Sequence, residues 1–145
     1  MTHPSHLWLI WAVLSACFAA LTAIFGKIGV QKIDPDFATL LRTAMVLAVL
    51  LVLVLATGKW RDPRQLSGHT IAFLSLSALA TGASWVCYFR ALQLGKAYQV
   101  APIDKFSVVL VTVFAVAFLG ERPSSGDWIG LALVTSGLLV LAMRR

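Results

Sequence analysis

Five ionisable residues lie where an apolar chain has little reason to keep them. Lys27, Arg42, Arg90, Asp104 and Lys105 all fall inside, or at the edge of, long hydrophobic runs. Four cations against one carboxylate describe an electropositive lining, the chemistry that attracts and holds an anionic or zwitterionic solute. Trp85 and Tyr88, on the run that carries Arg90, would supply apolar walls for the same space. Asp104 is the one embedded carboxylate available for proton coupling, although its neighbour Lys105 favours its ionised form. For any single residue in this set, interfacial anchoring or a helix-dipole role is the ordinary explanation. Taken together they point to a solute site, because Arg42 and Arg90 sit deeper than anchoring requires.

Other chemistries find little support. His3, His6 and His69 are peripheral, and no nucleophile–base or metal-ligand constellation accompanies them. His3 and His6 alone are too few ligands for a stable zinc site. Cys17 and Cys87 both fall within apolar runs and read as small packing residues, neither disulfide-bonded nor metal-binding. No catalytic residue, metal or cofactor is therefore expected. The net charge of +6 would in a soluble protein suggest nucleic acid. Here the basic residues cluster at the ends of apolar runs, where Lys and Arg face headgroups, so a nucleic-acid partner is set aside.

The elements that must position these groups follow from the length of the apolar runs. Crossing a hydrocarbon core of about 30 Å takes about 20 helical residues. Helices are expected at about 7–28, 37–57, 70–93, 101–119 and 126–143, which makes residues 1–145 one five-helix membrane domain. Only 12% of the residues are charged, against roughly 25% in soluble domains, and mean hydropathy is +0.87. Residues 108–116 are rich in β-branched side chains. They are nevertheless continuously apolar, whereas the strands of a membrane barrel alternate apolar and polar positions. The fold class is thus all-α: an integral membrane protein of the cell (inner) membrane, with the lipid bilayer as its solvent.

Turn chemistry separates the helices. In Ile33-Asp34-Pro35-Asp36, Asp36 is a plausible N-cap for the second helix. Pro102 suits a first helical turn, and Ser124 with Asp127 has the spacing of a capping box. Leu14-Ser15-Ala16-Cys17 fits a lipoprotein cleavage box by pattern. The preceding residues lack Lys or Arg and the apolar run continues to Phe25, so an uncleaved first helix is expected.

Orientation is evenly poised. The side bearing the N-terminus carries Lys59, Arg61, Arg64 and Arg122, and the opposite side carries Lys32, Lys96, Arg144 and Arg145. Lys27, Arg42, Arg90 and Lys105 lean the count toward the second side as the inside. A balance this close allows one population to insert both ways. Trp8, Trp11, Trp60 and Trp128 all map to the first side as an interfacial belt. Two stripes of small residues offer close helix approach. Gly126, Gly130 and Gly137 lie on much the same face of the last helix; Ala12, Ser15, Ala16, Ala19 and Ala23 form the other, on the first.

A family resemblance rests on ordered motifs across nearly the whole chain. Tyr88-x-x-Ala91-Leu92-Gln93-Leu94-Gly95 followed by Val100-Ala101-Pro102-Ile103-Asp104-Lys105 resembles the third-to-fourth helix segment of EamA-type drug/metabolite transporters. Phe118-Leu119-Gly120-Glu121-Arg122-Pro123 and Trp128-Ile129-Gly130, with Gly137 beyond, are similar in the same way. Phe25-Gly26-Lys27 and Leu41-Arg42 stand where that family commonly carries a Lys and an Arg. The resemblance implies a fold that is one half of an inverted-repeat transporter, since full-length relatives look like two fused five-helix repeats in opposite orientation. It implies a secondary transporter, an exporter, of small metabolites or drug-like solutes, working by alternating access as an antiparallel dual-topology homodimer. Helix 1 carries no acidic residue, so the central-glutamate proton exchange of small multidrug-resistance proteins does not carry over. Glu121 is read as structural. A heterodimer is the alternative to the homodimer, and the competing expectation is a non-transporting accessory subunit or scaffold of a larger membrane complex that packs through the Gly126/Gly130/Gly137 face.

Overall fold

A computed structural model describes residues 7–143; readings placed on His3, His6, Arg144 and Arg145 lie outside the described residues. Among the described residues every regular element is helical. Five segments are long and apolar enough to cross a membrane: Leu7–Lys32, Pro35–Ala56, Gly68–Leu94, Ala97–Leu119 and Ser125–Met143. The protein is an all-α integral membrane protein. Most large apolar side chains are exposed, as a lipid-facing surface requires.

The chain divides between Leu94 and Gly95 into two compact units. The first contains α1 (Leu7–Gly29), extended by a 3-10 turn at Val30–Lys32, α2 (Pro35–Ala56) and α3 (Gly68–Leu94). Helix α3 packs on both α1 and α2. The buried residues of this unit, Ala23, Val30, Ala38, Thr39, Phe89 and Leu92, gather where α1 ends, α2 begins and α3 ends. Lipid tails are as apolar as leucine, so burial alone drives little helix association; close approach and polar ties between helices do more. Gly26 supplies the close approach. A methyl group there would lie 2.8 Å from Cε1 of Phe89.

Polar ties close the same end. The first-turn carboxylate of Asp36 is not a cap: Asp34 accepts from the backbone N–H groups of Asp36 and Phe37 at 2.9 and 3.0 Å. Pro35 occupies the first helical position, where its fixed φ and missing N–H cost nothing. Capping from Asp34 frees Asp36 to take Arg90 of α3 in a two-pronged ion pair at 2.6 and 3.1 Å. Gln93 donates to the carbonyls of Val30 and Ile33 at 3.3 and 3.2 Å, acceptors that the ending helix leaves open. Lys27 donates to the carbonyl of Leu92 in the last turn of α3, where a cation also suits the helix dipole.

The second unit contains α4 (Ala97–Asp104), α5 (Ser107–Phe114), a π-helical turn at Ala115–Leu119, and α6 (Ser125–Met143). The fourth span is therefore interrupted, not one continuous helix. Pro102 is the sixth residue of α4, not in its first turn. Having no N–H, it removes one rung of the ladder. Beyond it the chain tightens into i→i−3 bonds, Lys105 to Pro102 and Phe106 to Ile103, at 3.0 and 2.9 Å. Gly120 ends the span at φ +68°, a left-handed conformation that glycine adopts without strain. Ser124 and Asp127 form the reciprocal cap of α6: Ser124 donates its N–H and hydroxyl to the Asp127 carboxylate at 2.8 Å, and Asp127 N–H returns to Ser124 Oγ. Helix α6 packs on α4.

Candidate functional site

The first unit holds a cavity of about 380 Å³ between α1 and α2, floored by Phe89 of α3. It exists because small residues meet there: Gly26 and Gly29 on α1 and Ala38 on α2 line it, with Phe25, Leu41 and Met45 as apolar walls. Arg42 is the charged group on this lining. Its volume lies at the lower end of small-molecule pockets, which run from about 300 to 1,000 Å³.

Arg42 is held by stacking. Its guanidinium carbon lies 3.6 Å from the centroid of the Trp85 ring and 5.8 Å from that of Phe89. Trp85 is braced edge-on by Tyr88 at 5.6 Å and Phe89 at 5.5 Å between centroids. Residues 36 and 42 are six apart on α2, and 85 and 90 are five apart on α3, spans of about 9 and 8 Å. The Asp36–Arg90 and Arg42–Trp85 pairs thus share one antiparallel register. Arg42 reaches sideways onto α3 at its own depth, where a snorkelling arginine would climb to the interface. A cation–π contact engages the face of the guanidinium and leaves its five in-plane N–H donors available. Among the described residues no carboxylate pairs with Arg42.

The structure brings Arg42, Trp85 and Tyr88 together in this cluster. Lys27 shares the same end of the unit but points its ammonium at the Leu92 carbonyl. Arg90 is committed to Asp36 and is more than half exposed. In the second unit Asp104 and Lys105 pair with each other at 3.2 Å, at the break in the fourth span. On α6 the buried residue is Leu138. Gly130 and Gly137 lie roughly a quarter of a turn away from it, and a methyl group at either meets no described atom within 4 Å.

Several residues that make these contacts carry little mark in the sequence. Asp36 reads as a cap, and Pro35 is the signal that the cap lies one residue earlier. Gln93 and Phe89 carried no charge pattern to mark them. Gly26 stands beside Lys27 in the sequence, and the 2.8 Å approach gives it its role.

Comparison with known proteins agrees with this architecture. Residues 6–143 match the EamA-like transporter family. The chain is 54% identical over 139 residues, 96% of its length and 99% of the relative's, to an uncharacterized transporter in the cobO 3' region of a Sinorhizobium species. It is 27% identical over 137 residues to the uncharacterized transporter YxxF of Bacillus subtilis (strain 168), covering 94% of this chain but 43% of that longer protein. Over 85 residues, 57% of this chain and 74% of the relative, it is 29% identical to the probable 4-amino-4-deoxy-L-arabinose-phosphoundecaprenol flippase subunit ArnE of Yersinia pestis (strain Pestoides F). No solved structure matches.

Proposed function

The chain belongs to the EamA-like transporter family, and on that premise we propose that it is a secondary exporter of small, anionic or zwitterionic solutes. The observation that carries this is Arg42: a cation that among the described residues has no carboxylate partner, stacked on Trp85, lining a cavity among membrane-spanning helices. A charge at such depth is costly, so it is retained where it does work. The solute's charged group binds Arg42, and Trp85, Tyr88 and Phe89 hold that side chain in place. Lys27 adds positive potential from the tied end of the unit, where Arg90 is neutralised by Asp36. Asp104 and Lys105, at the break in the fourth span, are the groups available for ion coupling; interrupted helices are where secondary transporters place such sites.

Five spans place the two ends of the chain on opposite sides, so a second copy inserted the other way restores an inverted pair. We assign the working unit as an antiparallel homodimer of five-helix repeats, with Gly126, Gly130 and Gly137 available for helix contact between copies. The match to less than half of YxxF supports a half-length repeat. A second arrangement is favoured by the name of the Yersinia relative, a flippase subunit: this chain paired with a different, inverted protein. Export is tested by comparing cells that carry the intact chain, Arg42→Ala at matched membrane levels, or neither, for solutes that appear in the medium. Arg42→Ala should match the cells with neither. Export equal to the intact chain would remove Arg42 from the site.

A further inference from the structure

Arg42 borders a second concavity besides the cavity between α1 and α2. It runs along one face of α2 and is lined by Arg42, Met45, Val46, Val49 and Leu50. Arg42 and Met45 belong to both spaces, so the cation stands at the junction of an inter-helical cavity and an apolar track. Arg42 to Leu50 is eight residues, about 12 Å along the helix and across the middle of the span. Apart from Arg42, every side chain on this track is an unbranched or branched hydrocarbon or thioether. A compact polar solute has no use for such a surface, since burying its polar groups there would leave them without hydrogen-bond partners.

We infer that the ligand is a single-chain amphiphile with one anionic head, its head on the free edge of Arg42 and its apolar chain along Met45–Leu50. This deepens, and rests on, the assignment of Arg42 to the solute site. Charge fixes the polarity of the ligand: the guanidinium fork has donors for a carboxylate or phosphate and none for a cation. Length fixes its shape: an apolar tail of on the order of 10 Å matches the track that continues from the cation.

The probe is radiolabelled decanoate, added to the full chain in nanodiscs of phosphatidylcholine, with protein-free nanodiscs as background. Saturable binding should be weakened at least tenfold in Arg42→Gln, weakened several-fold in Val49→Trp, which fills the track without removing the cation, and unchanged in Arg122→Gln. Acetate and decyltrimethylammonium should compete poorly. Competition by acetate as strong as by decanoate, with Arg42 still required, would overturn the amphiphile and leave Arg42 as a site for compact anions. Competition by decyltrimethylammonium equal to decanoate would overturn the anionic head. Binding indifferent to Arg42→Gln would overturn this inference and the solute site together. Val49→Trp separates loss of fold from loss of site, because a folded variant with normal decanoate binding refutes the track.

Discussion

Gly26→Ala is the substitution whose cost follows most directly from a distance. The new methyl carbon would sit 2.8 Å from Phe89 Cε1, 3.7 Å from Phe89 Cδ1 and 3.6 Å from Leu92 Cδ1. The Phe89 ring is 3% exposed, with Trp85 packed edge-on at 5.5 Å, so it can yield only toward the cavity it floors. Either the ring leaves its rotamer or α1 and α3 separate, a form of overpacking that costs about 1–3 kcal/mol. Against this, replacing glycine by alanine within a helix returns about 0.5–1 kcal/mol. Gly82, inside α3, supplies the control, because a methyl group there meets nothing within 4 Å and should gain without loss. The difference between Gly26→Ala and Gly82→Ala isolates the clash at about 1–3 kcal/mol, roughly five- to 150-fold in the folded ratio at tenfold per 1.4 kcal/mol. Equilibrium unfolding in mixed detergent micelles, followed by circular dichroism, measures both. Equal stability of the two variants would refute the close packing of α1 on α3, and with it the placement of Phe89 beneath the cavity.

The ion pair between α2 and α3 predicts a charge-swap rescue. Arg90→Asp alone should lower both membrane abundance and export, and adding Asp36→Arg should restore them; no recovery in the double variant would mean that Arg90 acts on the solute directly and not through Asp36. Trp85→Leu should weaken solute binding through loss of the Arg42 stack, by about 0.5–2 kcal/mol or two- to 30-fold, while Trp85→Phe retains part of it; a binding titration of the two variants checks the order. Pro102→Ala restores a backbone donor to the fourth span, so resistance to unfolding should rise while export falls. Faster export with unchanged stability would show that the break is not a working hinge.

The spans were legible because run length against bilayer thickness is a one-dimensional signal that needs no partner residue. The capping of α6 by Ser124 and Asp127 was legible for the same reason: both halves of the interaction lie within four residues. The break in the fourth span was hidden, because the sequence marks Pro102 but not how many turns precede it. Asp36 reads as a cap in the sequence because its partner, Arg90, is 54 residues away. Nothing in one-dimensional spacing distinguishes an arginine tied to an aspartate from one stacked on an indole. Arg42 and Arg90 look alike in sequence, and only their neighbours across the α2–α3 contact separate the stacked cation from the tied one.

The antiparallel assembly is tested most directly at the C-terminus. Arg145 is fused to one reporter active only in the cytoplasm and, separately, to one active only outside, with each signal normalised to the amount of fusion in the membrane. Comparable activity from both fusions is the outcome that two orientations of one chain require. Activity from a single fusion would contradict the homodimer and require that an inverted partner come from a different protein.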